Sequence, residues 1–427
     1  MINQPNYVEH VTEHGADQFM GHRSLISTGM PAVRTSDRPL VSVVIPTHNR
    51  AQLLKRAIES ALAQEGCGCL FDIEIIVVDD CSSDNTGQVA RSYASVQYVR
   101  LPTNRGASGA RNEGIRRAAG KYIALLDDDD EFLTLKLQVQ VPLLESNPQV
   151  GALYGQSVVT GSDVPLLLWP ESGPSGDVFE AFVTQTDDFL HPPTWLIRRE
   201  CFEAAGWFDE QHRTMEHYDM ALRLALVTKW MFVSGGPVAR GRFSRSGKWY
   251  SNIVNGNNER HLSRIVEGAL ARLPASPEAD RLRQRARAAV VASVIGQRWT
   301  VAGITAAQGY TLSVLPSAPW LMTQPCFLDR LYRMAGALTV TSDAPEQAVC
   351  SFWREIEHQL AEGGITRSFF AQRRLLGELL TQAAVRLKSG SPRRAWVVAG
   401  TAILANPATW FSPKKLTTLV GALRHHQ

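Results

Sequence analysis

The sequence lacks any uninterrupted apolar run of about 18–20 residues, the length a membrane-spanning helix needs, so no spanning helix is expected. The first thirty residues carry His10, Glu13, His14, Asp17 and His22 but no apolar core, which argues against a secretory signal peptide. An excess of one charge is also missing: 44 basic and 41 acidic side chains leave +3. Global charge therefore gives no reason to expect nucleic acid as the main partner. Cysteine is sparse, at six residues, and only Cys67 and Cys69 are close together. A C-x-C pair without a second pair is a weak basis for zinc. Incidental or buried thiols in a reducing compartment are the expected reading, which places the chain in the cytoplasm. Two phosphate-binding signatures are absent as well. Gly106 and Gly109 do not fit G-x-G-x-x-G, and Gly247-Lys248 is followed by Trp249, so neither a dinucleotide fingerprint nor a P-loop is present.

What remains is the composition of a folded chain, 44% apolar and 20% charged. A length of 427 residues predicts two domains plus tails. Residues 1–37 are polar and aperiodic and read as a flexible lead-in. The pattern then changes. Leu40 to Ile45 is a near-continuous β-branched run ended by Pro46, as a strand buried on both faces would be. Apolar residues recur at helical spacing over 51–64. Ile73 to Val78 predicts a second strand, with N-cap candidates Ser82, Ser83 and Asp84 for a helix to about residue 94. Val96 to Leu101 predicts a third strand, 108–119 a helix, and Tyr122 to Leu126 a fourth strand. Such alternation argues for an α/β fold with a mostly parallel central sheet. From 150 to 255 the pattern is mixed, with short apolar runs, many Pro and Gly, and one clear helix near 216–227. After about 258 it reads as all-α, including helices over 350–361, 366–387 and 392–405. The stretches 302–320 and 395–410 look related, as a degenerate repeat would.

Ligands of parallel sheets bind beyond the carboxyl ends of the strands. Here those ends carry Pro46-Thr47-His48-Asn49-Arg50, Asp79-Asp80 and Asp127-Asp128-Asp129-Asp130. An acidic run is ordinarily a solvated loop. Delivered by a buried strand to a ligand rim, its like charges would repel unless a cation compensated. Carboxylate oxygens are hard ligands, so Mg²⁺ or Mn²⁺ suits them, with substrate phosphates completing the shell. Asp79-Asp80 reads either as a helix cap or as acceptors for a base N–H and ribose hydroxyls. The glycine-rich stretch Asn104 to Asn112 permits close backbone approach, and its Arg111 would counter phosphate charge.

Taken together, these stretches resemble the inverting GT-A glycosyltransferases usually called family 2. The match comprises Val41 to Arg50, Ile75 to Thr86, Asn104-Arg105-Gly106, Ala110-Arg111-Asn112-Glu113-Gly114 and Asp127 to Leu133. It is close over about 38–140 and weaker to about 245. The resemblance implies a transferase domain over 38–257 and a helical C-terminal domain over 258–427. It implies that Pro46, Thr47, Asn49, Arg50, Asp79, Asp80, Asn104, Gly106, Arg111, Asp127 and Asp128 hold the nucleotide sugar. It further implies that Asp127 and Asp129 form an Asp-x-Asp metal site, with Asp130 beside them. The family's catalytic base comes from a later Glu-Asp pair. Here that pair is Glu216-His217, so His217 stands where Asp is expected. Histidine is competent as a base, and Glu216 would substitute for it or orient it. His191-Pro192-Pro193-Thr194 falls where the family places acceptor-side residues, although Pro-turn geometry explains it equally well.

The resemblance thus implies a metal-dependent transferase in polysaccharide biosynthesis. It would move a sugar from a UDP-, GDP- or dTDP-linked donor to a glycan, lipid-linked or surface-polymer acceptor. The alternative is a catalytically silent nucleotide-sugar-binding scaffold. A nucleotidyltransferase would need a glycine- and lysine-bearing loop after the first strand, which Pro46–Arg50 does not supply. The helical region would bind acceptor, dimerise or lie on the inner membrane face, and its Arg, Trp and Leu content also suits ordinary helix packing.

Overall fold

The computed structural model describes residues 38–161, 164–184, 190–242, 251–253, 255–341 and 345–362. The expected lead-in over 1–37, the helices expected over 366–387 and 392–405, the second repeat copy and Gly247-Lys248 lie outside them.

Contacts divide the chain into two compact units, one of residues 1–183 with 187–248, the other of 184–186 with 249–427. The first opens with β1 (Leu40–Thr47), α1 (Ala51–Leu62), β2 (Asp72–Asp79), α2 (Thr86–Arg91), β3 (Val96–Arg100), α3 (Gly106–Arg117) and β4 (Tyr122–Leu125). It continues through β5 (Glu131–Phe132), α4 (Lys136–Ser146), β6 (Val150–Gly161), β7 (Val164–Trp169), α5 (Phe179–Thr184), β8 (Leu196–Arg198), α6 (Arg199–Ala205), α7 (Glu216–Ala225) and β9 (Lys229–Arg242). The strands form one mixed sheet in the order β3-β2-β1-β4-β8-β6-β9-β5, with β7 on β6.

The half formed by β3, β2, β1 and β4 is parallel throughout. Strands β1, β2 and β4 are apolar where both faces are covered: Val41, Val43, Val44, Ile45, Ile76, Val77 and Ile123 are fully buried. Helix α1 lays Leu54, Ala57, Ile58 and Ala61 into the core, where Leu54 and Ile58 each contribute about 1.5–3 kcal/mol by leaving water. The register Thr47 to Asp79 and Val44 to Leu125 ends these strands at one edge. That edge therefore receives Thr47–Arg50, Asp79-Asp80 and the run from Asp127.

Residues 150–242 differ from the short apolar runs expected. Two long strands, β6 and β9, pair in parallel there, with register shifts around Gly155–Ser157. Gly151, Gly155, Gly235, Gly236 and Pro237 interrupt the alternation a strand would show, and they mark bulged backbone.

The second unit is helical where described: α8 (Asn257–Leu270), α9 (Pro277–Val314), α10 (Pro325–Thr341) and α11 (Pro345–Glu362). Ser276 caps α9 by accepting from the Ala279 N–H, with Pro277 in the first turn. Gly303, at φ 82°, breaks α9 into two segments. Phe327, Leu331, Met334, Phe352, Trp353 and Ile356 gather into the unit's own core. No helix among the described residues is long and apolar enough to cross a membrane.

Candidate active site

The loop after β1 is built from local polar contacts. Asn49 adopts φ 53°, and its side-chain oxygen accepts from the Ser83 N–H at 2.7 Å. Its own N–H donates to Ser82 Oγ at 2.9 Å. Asn49 therefore ties the β1 loop to the β2 loop. Pro46 pairs with Val78 inside the sheet, and the buried Thr47 accepts the Asp80 N–H through its carbonyl at 2.8 Å.

Asp79 and Asp80 are both buried. Asp79 accepts from the Ser82 N–H at 2.7 Å and from the Tyr98 hydroxyl at 2.5 Å. Asp80 accepts from the backbone N–H groups of Arg105 and Gly106 at 2.6 and 2.8 Å. The Asn104 amide donates to the Asp80 carbonyl at 3.3 Å. Asp80 is thus the anion at the start of α3, rather than a cap for the helix near Asp84. Gly106 adopts φ 76°, and a Cβ there would meet Arg213 Nη1 at 2.6 Å.

The acidic turn from Asp127 to Asp130 closes on a hydrogen bond from the Asp130 N–H to the Asp127 carbonyl at 3.0 Å. Its four carboxylates face three cationic side chains. Arg50 Nη1 donates to Asp128 at 2.9 Å and to Asp129 at 2.7 Å. Arg111 is buried and donates to Asp127 at 2.5 Å and Glu216 at 2.6 Å. His191 Nε2 lies 2.9 Å from Asp130, which also accepts the Arg242 N–H at 3.1 Å. Arg111, expected to meet phosphate, thus commits these donors to two carboxylates, and its guanidinium lies over the Phe208 ring.

Negative charge exceeds what these cations balance. Burial, then the neighbouring Asp130 charge, pushes the Asp129 carboxyl up to about 7, against the opposing pull of Arg50. Burial likewise raises Asp128 and Asp130, opposed by Arg50 and His191 respectively. Burial alone would lower His191, but the Asp130 charge and hydrogen bond, with the charges of Asp127 and Asp129, together outweigh it and raise it. Among the described residues no group of three or more His, Cys, Asp or Glu side chains is gathered to hold a metal ion.

Glu216 and the half-buried His217 open α7. Burial alone would raise the Glu216 carboxyl, but Arg111 and then His217 outweigh it and hold it at about 2. Sequence reasoning missed how this helix is docked. Arg105 pairs with Glu210, and the Asn112 side chain exchanges hydrogen bonds with the Phe208 backbone at 2.8 and 2.9 Å. These contacts link α3 to the segment preceding α7 across about a hundred residues of chain, a separation no local pattern reveals.

Residues 42–206 match the model of Glycosyl transferase family 2. A relative in Escherichia coli, the putative colanic acid biosynthesis glycosyl transferase WcaA, is 31% identical over 203 residues, covering 44% of this chain and 67% of that protein. This chain belongs to glycosyl transferase family 2. The GT-A fold expected for the family agrees with the sheet described above. Another family relative, the succinoglycan biosynthesis protein ExoO of Rhizobium meliloti, is 37% identical over 44% of this chain and 53% of its own. The family 2 chain spans 53–61% of the length of several curated relatives that it matches. Two solved structures are also similar. S. aureus TarS 1-349 in complex with UDP-GlcNAc is 16% identical over 76% of this chain and 90% of that one, at TM-score 0.49. Mannosyltransferase PcManGT from Pyrobaculum calidifontis, in complex with GDP-Man and Mn²⁺, is 20% identical over 77% and 86%, at 0.46. The family match ends at residue 206. Glu216 and His217 lie beyond it.

Proposed function

We propose that the first unit transfers a sugar, with inversion, from a nucleoside-diphosphate donor to a hydroxyl of a glycan, lipid-linked or surface-polymer acceptor. The observation that carries this reading is the excess of carboxylate over cation at the sheet's exit edge. A donor set of hard oxygens with a carboxyl held near neutrality fits a divalent ion. Asp127 and Asp129 would hold Mg²⁺ or Mn²⁺, and diphosphate oxygens and water would supply the ligands that the protein does not. Such an ion, when bound, would supply Lewis-acid neutralisation of the departing diphosphate.

The chain's own groups perform the rest. Asp130, engaged by His191 and the Arg242 N–H, anchors the acidic turn instead of joining the metal set. Arg50 lies between Asp128 and Asp129 and is half exposed, so it can turn toward a diphosphate. Asn49, Asp79, Asp80, Asn104 and Gly106 shape the sheet's exit edge, against which the nucleoside would rest. The acceptor oxygen bonds to the anomeric carbon as the carbon–oxygen bond to diphosphate breaks, and its proton passes to a base. Glu216, paired with Arg111 and held far below the ordinary carboxylate range, is a poor proton acceptor. The reading therefore assigns the proton to the His217 imidazole and gives Glu216 the orienting role.

The test is release of nucleoside diphosphate from UDP-glucose, UDP-N-acetylglucosamine and GDP-mannose with Mn²⁺. Turnover lost in Asp129→Ala, and lowered on the order of a hundredfold in His217→Ala with donor affinity unchanged, supports the transferase. Tight donor binding without turnover under any acceptor points instead to a silent nucleotide-sugar scaffold.

A further inference from the structure

Helix α4 buries a lysine. Lys136 is fully buried, as is Gln140 one turn later. Lys136 Nζ donates to Gln140 Oε1 at 2.5 Å and to the Trp195 carbonyl at 2.9 Å. Gln140 Nε2 donates to the Thr194 carbonyl at 2.8 Å. Both acceptors of the amine are neutral, and the Phe132 ring lies 4.9 Å from Nζ. Burial without a carboxylate drives the Lys136 amine well below its ordinary range. An apolar side chain of similar length would avoid that desolvation penalty, so simple packing does not account for a lysine here.

The two carbonyls held by this pair belong to the turn carrying His191. Thr194 closes that turn by donating its N–H and its hydroxyl to the His191 carbonyl, at 2.9 and 2.7 Å. Gly241 forms a wall of the imidazole site: a Cβ there would meet His191 Cε1 at 2.8 Å. The ring is thus held between a clamped turn and bare backbone, with Nε2 on Asp130. Asp130 in turn closes the acidic turn onto Asp127.

We infer that Lys136 and Gln140 are positioning residues for transfer: by clamping the 191–195 turn they hold His191 on Asp130, and so set how Asp127 and Asp129 are presented. This rests on the function proposed above. A merely structural clamp would protect stability first. A positioning device retained at the expense of stability does the opposite, and its removal leaves the fold intact while turnover falls.

The experiment is a double-mutant cycle on the full chain, read by nucleoside-diphosphate release with Mn²⁺ and the three donors named above. Lys136→Met is expected to melt at or above the wild-type temperature, to lower kcat about tenfold and to leave donor KM within twofold. His191→Ala is expected to lower kcat at least as much, and Lys136→Met added to it is expected to change nothing further. Unchanged turnover in Lys136→Met overturns the inference, and so does a full tenfold loss persisting in the His191→Ala background. Where Lys136→Met does not fold, Gln140→Met is carried through the same cycle with the same criteria. A readout independent of activity separates this inference from the transferase reading. The side-chain nitrogen resonances of His191, assigned by their loss in His191→Ala, are expected to shift in Lys136→Met. Resonances that stay in place overturn the inference even if the chain transfers sugar. If no donor turns over, the transferase reading fails and the His191 resonances still decide the clamp.

Discussion

The ion pair between Arg111 and Glu216 has a pH signature. Glu216 titrates at about 2 in the folded chain, below the ordinary glutamate value of about 4.3. Its stabilisation is therefore present above the unfolded value and is lost as pH falls toward 2. Wild type is expected to lose about 2 kcal/mol relative to Glu216→Gln between pH 5 and pH 3, measured by denaturant midpoints at each pH. A difference that stays constant over that range would remove the pairing from the account. Glu216 and His217 were readable as candidates from their place in the chain. That Arg111 would bind Glu216 was not readable, because the two residues lie on different helices and nothing local links them. Asp79 and Asp80 were legible as rim residues, whereas their backbone partners, Ser82, Arg105 and Gly106, came only with the folded loops.

Among the elements, α3 packs closely on the sheet that carries the site. A Cβ at Gly114 would come within 2.4 Å of Val44 Cγ1 and 3.2 Å of Val78 Cγ2. Gly114→Ala gains helix propensity of up to about 1 kcal/mol, but it overpacks two buried β-branched side chains. Overpacking, at about 1–3 kcal/mol, is the larger effect. The variant is expected to melt several degrees lower, and to bind donor more weakly because Asp80 and Arg111 move with α3. A thermal melt at or above wild type would show that the interface gives way freely. Strands β1, β2 and β4 were legible because burial on both faces writes a continuous apolar run. Strands β6 and β9 were not, because glycines, a proline and register shifts erase the period-2 signal over the same stretch.

Across the whole molecule, each unit buries its own apolar cluster. Phe327 is fully buried in the helical unit, and Phe327→Ala is expected to cost that unit about 3–5 kcal/mol. Calorimetry is expected to show the loss in one transition, while donor affinity with Mn²⁺ stays within twofold. Donor binding abolished in a variant that still folds would place part of the site's support in the second unit. The sequence alone determined the order of strands and helices through β4 and the acidic chemistry at their exits. Strand burial and side-chain charge are properties of short segments, so they can be read locally. Tertiary structure alone decided which carboxylates are already engaged: Asp127 and Glu216 by Arg111, Asp128 and Asp129 by Arg50, and Asp130 by His191. Those pairings join residues from separate loops and helices, and the partner that reaches each buried charge depends on how the chain folds back on itself.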